Sequence, residues 1–163
     1  MTSPDGRGDF DFLLGTWQVA NRRLPRPLEP ADGRWEEFET SAVVRPVLGG
    51  LGNTDTITGS PGPDGQPFEG LTLRLFDPDD GLWRIWWAST RRPGHLDAPL
   101  RGTFSGGAGV FLGEDRVDGV PVRLRFDWTV PTPGTARWVQ AFSLDGGSSW
   151  STNWVMDFRR AAR

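Results

Sequence analysis

The stretch VPVRLRFDWT, residues 120–129, is the part of the sequence that decides the fold. Apolar residues occupy every second position from 120 to 128, and the positions between them are mostly polar. This period of two predicts a β-strand with one buried face and one face in water. Similar alternation follows over 136–144 and 150–158. Three such strands in succession indicate an antiparallel meander with one apolar face.

The rest of the chain carries the same pattern of short strands and turns. Glycine-containing turn sequences such as Asp79-Asp80-Gly81 and Asp118-Gly119 recur between runs rich in aromatic and β-branched residues. Earlier strands are predicted over 16–24, 35–46, 51–58, 68–77, 82–90, 98–105 and 108–116. About ten strands with little helix predict an all-β, closed up-and-down antiparallel barrel, because closure leaves no exposed strand edge.

The length of 163 residues is that of one domain. We expect the barrel to occupy 9–163, with a short helical turn between Asp9 and Leu14. Residues 1–8 are polar and glycine-rich, which predicts a disordered N-terminus. Residues 1–6 show neither a basic nor an apolar leader segment, so the expected location is the cytoplasm.

Composition excludes several classes of function. The chain has no cysteine and no tyrosine, and all 18 of its basic residues are arginine. Disulfides, thiolate metal sites, Schiff bases and tyrosine nucleophiles are therefore excluded. The net charge of −3 argues against a nucleic-acid surface, and no apolar run is long enough for a membrane span. We therefore expect neither nucleic acid nor membrane as a partner.

Several segments resemble a known family. Gly15-Thr16-Trp17 resembles the Gly-x-Trp opening of the calycins, the lipocalin-like barrels, in which the tryptophan closes one end. Four further segments are similar to a bacterial family of uncharacterised calycin-like domains, DUF1579: 48–55, 72–78, 142–147 and 153–158. This resemblance implies a barrel with a central cavity and implies no activity. A related group of barrels binds haem.

One further motif is local. Ser143-x-Asp145-x-Gly147-x-x-Trp150 is similar to the Asp-box of sialidase-like propellers. A propeller needs several blades, and this sequence has a single copy. We interpret the motif as a structural turn, in which the carboxylate accepts hydrogen bonds from turn amides.

Asn53 and Asp55 share strand parity with Leu51 and Ile57, so they are predicted to point into the barrel. Burying a carboxylate costs several kcal/mol unless it is paired. An inward Asp55 would therefore meet a ligand, water or an internal arginine. The alternative is that this strand frays at the barrel mouth and both groups are solvated.

Other polar residues interrupt aromatic faces. Gln140 lies between Trp138 and Phe142, and Thr152 and Asn21 hold similar positions on their strands. Such groups could orient a ligand, or could bond a neighbouring side chain or a buried water. The predicted ligand-binding residues are Asn21, Asn53, Asp55, Trp87, Trp128, Trp138, Gln140 and Trp154.

Parity places four arginines outside the barrel: Arg74, Arg123, Arg125 and Arg137. If the larger apolar set instead packs outside against a second copy, Arg74, Arg125 and Asp127 would be interior. Trp86 has the opposite parity to Trp83 and Trp87 and is the candidate contact for a homodimer.

His95 is the only histidine and lies in a predicted loop at the barrel mouth. It is a candidate haem ligand or general base, with Asp97 orienting it. The alternative is an ordinary surface histidine, and no cofactor is the main expectation.

Three functions remain open. The first is a barrel that binds a small apolar or aromatic molecule. The second is a cofactor-independent enzyme of the cyclase or isomerase type, with Asp55 or His95 moving protons. The third is a structural or interaction barrel filled by its own side chains.

Overall fold

The computed structural model describes residues 5–59 and 65–162, and it confirms the predicted closed antiparallel barrel of ten strands. Each strand pairs with its neighbours in sequence, and the first pairs with the last to close the sheet. The strands are β1 (Gly15–Arg23), β2 (Glu36–Val47), β3 (Gly52–Gly59), β4 (Phe68–Asp77), β5 (Leu82–Ser89), β6 (Leu100–Ser105), β7 (Ala108–Val117), β8 (Val120–Thr129), β9 (Thr135–Ser143) and β10 (Ser151–Arg160). Short 3₁₀ turns lie at Asp11–Leu13, Pro30–Asp32 and Leu48–Gly50. None of the described helical segments is long and apolar enough to cross a bilayer.

The turn at Asp11–Leu13 closes one end of the barrel. The indole Nε1 of Trp17 donates a 2.7 Å hydrogen bond to the Leu13 carbonyl. The Arg160 guanidinium lies 4.4 Å from the centre of the Trp17 ring and donates to the carbonyl oxygens of Leu14 and Phe12. The last strand is thereby attached to the first turn, and the sequence's Gly-Thr-Trp segment forms the closed end.

Aromatic side chains fill the interior next to this end. The Phe10 ring lies at the centre of the group, 5.0 Å from Trp83 and 4.9 Å from Phe104 between ring centroids, both edge-on. Edge-to-face contacts of this kind add about 0.5–1.5 kcal/mol each beyond the burial of apolar area. This part of the barrel is a solid core, and any open interior lies toward the other end.

The prediction for Arg74 is wrong, because Arg74 points inward and is 3 % exposed. In β4 the inward row contains Thr72, Arg74 and Phe76, and the leucines at 71, 73 and 75 face outward. The physical reason is that Arg74 meets an ion-pair partner inside the barrel. A folded surface tolerates exposed leucines, since more than half of it is normally apolar.

The alternative in which the two faces are fully reversed is also wrong. Arg125 and Asp127 lie on the outer face, where the Arg125 Nε donates a 2.9 Å hydrogen bond to Asp127. Arg123 and Arg137 lie outside as predicted. Only β4 departs from the predicted parity of the arginines.

Thr152 is a second correction, because it faces outward rather than into the barrel. A β-bulge between Thr152 and Trp154 inserts Asn153 into the ladder opposite β9. The extra residue reverses the parity at this point, so Asn153 is buried while Trp154, Met156 and Phe158 keep their predicted inward orientation.

The turn that resembles an Asp-box has the structural role predicted for it. Asp145 accepts hydrogen bonds from the Ser149 backbone amide at 2.9 Å and from the Ser143 hydroxyl at 2.7 Å. The bonds from Ser149 and Ser143 hold the pKa of the Asp145 carboxyl well below its usual range.

The disordered N-terminus and the homodimer both stay predictions. Of the N-terminal segment 1–8, residues 1–4 lie outside the described residues, and the Gly6 carbonyl accepts a 3.0 Å hydrogen bond from the Trp83 indole. Trp86 lies on the outer face beside Leu73, the position that the homodimer prediction requires.

Candidate functional site

A cavity lies inside the barrel between the aromatic core and the opposite, open end. It offers about 60 Å³ to the centres of water-sized molecules. Five of the predicted ligand-binding residues line it: Trp87, Trp128, Trp138, Gln140 and Trp154. Sequence analysis missed its other polar lining residues, which include Thr72, Arg74, Asp97 and Asp115. The first two follow from the corrected parity of β4.

Edge-on contacts between rings fix the tryptophan walls. Trp154 lies 5.5 Å from Trp138 and 6.3 Å from Trp87 between ring centroids, with interplanar angles of 84° and 90°. The Trp87 ring lies on Gly70 of the neighbouring strand, where an added Cβ would come within 2.0 Å of the ring. Gly70 is therefore needed for the position of this wall.

A wider recess of about 380 Å³, by the same measure, forms the mouth of the barrel. It shares Trp87, Gln140 and Trp154 with the cavity, so the two spaces adjoin. The Arg23 guanidinium lies 4.9 Å from the centre of the Trp154 ring at this border. A molecule too long for the cavity alone would extend into this recess.

Asp97, in the loop between β5 and β6, lies where cavity and mouth meet. Its backbone amide donates a 2.9 Å hydrogen bond to the Trp87 carbonyl, which fixes the loop over the mouth. Burial and then the nearby negative charge of Asp115 raise the pKa of Asp97, against the opposing effects of Arg92 and His95.

Two of the predicted polar residues hold the walls in place. Asn21 accepts a 3.1 Å hydrogen bond from the Trp154 indole and donates a 2.9 Å bond to Thr40. Gln140 donates a 2.8 Å bond to Asn153, the bulge residue. Asn21 is not among the residues that line the cavity, and its contacts are those of a positioning residue.

Asn53 and Asp55 point inward as predicted and are 3 % and 2 % exposed. Asp55 forms a 2.7 Å ion pair with Arg74 on the adjacent strand, and Asn53 accepts a 2.9 Å hydrogen bond from the same guanidinium nitrogen. Neither residue lines the cavity, whereas Arg74 does. Of the three partners left open for an inward Asp55, the structure provides an internal arginine, Arg74.

Some buried polar atoms have no hydrogen-bond partner in the described part of the chain. Four of them belong to this region: the Arg74 Nε, the Trp128 Nε1, the Asp55 Oδ1 and the Asn153 Nδ2. Arg74 and Trp128 both line the cavity. Such orphan groups are rare in native proteins and point to water or a ligand.

His95 lies outside the set of residues that line the cavity and the mouth. Its Nε2 is 3.2 Å from an Asp97 carboxylate oxygen, and its side chain is 43 % exposed. This position does not fit a proximal haem ligand, which needs a free imidazole nitrogen facing an enclosed pocket. Within the described ranges, no three acidic or histidine side chains cluster as metal ligands would.

The buried ion pair can be tested with a double-mutant cycle. Asp55→Asn leaves the Arg74 charge uncompensated, and Arg74→Met leaves the Asp55 charge uncompensated, so each is expected to lower the free energy of unfolding by about 3–5 kcal/mol. The double variant Asp55→Asn/Arg74→Met removes both charges and is expected to be at least as stable as either single variant. Urea denaturation measures all four proteins, and additive losses would contradict the pairing.

The environment of Asp97 predicts a pH-dependent stability. Because the folded protein raises the pKa of this carboxyl, ionisation of Asp97 opposes folding at neutral pH. Asp97→Asn is therefore expected to gain stability relative to the parent protein as the pH rises from 3 to 7. The matched control is Asp79→Asn, at an exposed turn position. Equal pH dependence of urea midpoints in the two variants would contradict the assignment.

Two solved structures are similar to this chain over nearly its whole length. A designed fluorescence-activating β-barrel gives a TM-score of 0.50 at 14 % identity, covering 93 % of this chain and 95 % of the designed chain. The crystal structure of Rv2717c from M. tuberculosis gives a TM-score of 0.60 at 16 % identity, covering 99 % and 100 %.

No family model and no curated protein matches the chain. The resemblance to the calycins and to DUF1579 therefore stays a prediction. At 14–16 % identity, the structural similarity shows the fold alone. The chain belongs, by its architecture, among closed antiparallel β-barrels.

Proposed function

We propose that this barrel binds a small molecule with an apolar or aromatic body in its internal cavity. The observation that carries the proposal is a cavity walled by four tryptophans and adjoining an open mouth. Concave sites with aromatic walls and a few convergent polar groups are the usual small-molecule sites. The fold agrees with this function, since a designed barrel of similar fold is fluorescence-activating.

The contacts around the walls support the proposal. Trp154 is held by Asn21, and Trp87 rests on Gly70, so the walls are positioned before any ligand arrives. Preorganised walls lower the entropy that binding would cost. A cavity favours this function over the alternative of a barrel filled by its own side chains.

The enzyme alternative receives no support from the residues predicted for it. Asp55 is paired with Arg74 and is not among the residues that line the cavity, and His95 is exposed beside Asp97. Neither faces the space that a substrate would occupy. The absence of a cofactor stays an expectation, and so does the homodimer through Trp86.

The test is a binding screen with a blocked cavity as its control. Small aromatic compounds, with hemin included, are titrated while tryptophan fluorescence and the melting temperature are recorded. A true ligand at about 100 times its Kd is expected to raise the melting temperature by about 5–10 °C. Thr72→Phe places a phenyl ring in the cavity and is expected to abolish this response.

Leu73→Phe is the matched control, because it adds the same ring to the outer face of the same strand. This variant is expected to bind as the parent protein does. The proposal is contradicted if no compound gives a saturable response, or if Thr72→Phe, folded by circular dichroism, responds as the parent does.

A further inference from the structure

Two hydrogen-bond donors of residues at the deep end of the cavity have no acceptor in the described part of the chain. They are the Nε of Arg74 and the indole Nε1 of Trp128. Both residues line the cavity, and they are 3 % and 2 % exposed. A buried donor without an acceptor is costly, so an acceptor from outside the chain would stabilise this arrangement.

The two donors lie at one end. The Arg74 Cζ is 5.5 Å from the centre of the Trp128 ring, so the guanidinium and the indole are in contact. Two other donors of the cavity wall already have acceptors: the Trp154 indole donates to Asn21, and Gln140 donates to Asn153. Of the orphan donors in this region, the two whose residues line the cavity belong to Arg74 and Trp128, and the third, the Asn153 Nδ2, lies at the mouth.

Charge determines which acceptor fits. The Arg74 guanidinium already has Asp55 as a counter-ion at 2.7 Å, in a position almost closed to water. An added carboxylate would bring a second negative charge without a second positive one, and burying such a charge is strongly unfavourable. An uncharged carbonyl oxygen accepts two hydrogen bonds without adding charge.

We propose that the deep end recognises the carbonyl oxygen of an uncharged molecule, with Arg74 and Trp128 as the donors. This inference rests on the proposed function and specifies the ligand as a neutral ketone, aldehyde, ester or amide on an aromatic or apolar body. The tryptophan walls contact the body, and the two donors orient it with its carbonyl toward the closed end.

Three compounds of nearly equal size separate the possibilities: acetophenone, ethylbenzene and benzoate. Acetophenone is expected to bind about tenfold tighter than ethylbenzene, the ratio that one good hydrogen bond gives. Benzoate is expected to bind more weakly than acetophenone at neutral pH. Isothermal titration calorimetry on the full chain measures the three dissociation constants.

Two variants provide a matched comparison. Trp128→Phe keeps an aromatic ring and removes the free donor, so it is expected to reduce the preference for acetophenone over ethylbenzene to about threefold or less. Trp86→Phe makes the same substitution on the outer face of the barrel, so it is expected to retain the full preference. Equal loss of preference in both variants would overturn the assignment to Trp128.

Nuclear magnetic resonance of the parent protein gives a readout that does not depend on the variants' stability. Acetophenone is expected to shift the Trp128 indole proton downfield, and ethylbenzene is expected to leave it nearly unmoved. The indole signals of the nine tryptophans are few enough to assign.

The outcomes separate this inference from the proposed function. Equal affinity for acetophenone and ethylbenzene, with no shift of the Trp128 proton, overturns the inference and leaves a binding barrel. Tightest binding of benzoate overturns it in favour of an anion site. If none of the three compounds binds, and no compound of the screen gives a response in the parent that Thr72→Phe lacks, both this inference and the proposed function are contradicted.

Discussion

The ion pair between Arg74 and Asp55 is the interaction around which the interior of the barrel is arranged. Both groups are almost wholly buried, so their charges must compensate each other across β3 and β4. Asn53 adds a second acceptor, and the faces of Phe10 and Trp128 lie 5.3 and 5.5 Å from the guanidinium carbon. The pair thus connects the aromatic core below with the cavity above, and it leaves the Nε donor of Arg74 without an acceptor in the described part of the chain.

Closure of the sheet explains why open space exists at all. Ten strands surround an interior that is wider than one layer of side chains can fill. Such a barrel either packs further side chains inside or contains a cavity. Here the turn at Asp11–Leu13 and the Trp17–Arg160 contact fill one end. Tryptophans of β5, β8, β9 and β10 line the remainder, and three of them, Trp87, Trp138 and Trp154, contact one another edge-on.

Much of the fold follows from local patterns, and the errors come from a distant contact, a bulge and a loop. The alternation over 120–128 is sufficient to predict its buried face, because only one of its faces is apolar. In β4 both faces carry apolar residues, so parity cannot choose between Arg74 and the leucines without knowing that Asp55, opposite Thr72 on the adjacent strand, is there to pair with Arg74. The prediction for Thr152 is wrong because of a one-residue bulge, and Asp97 reaches the site from a loop. Periodicity encodes neither the bulge nor the loop.

The central claim is that the barrel encloses a space open to small molecules between its tryptophan walls. Xenon tests this claim most directly, since it enters apolar cavities without needing a matched functional group. In crystals pressurised with xenon, the account predicts a bound atom among Trp87, Trp138 and Trp154. A barrel interior filled by its own side chains, with no xenon bound between these three tryptophans, would contradict it.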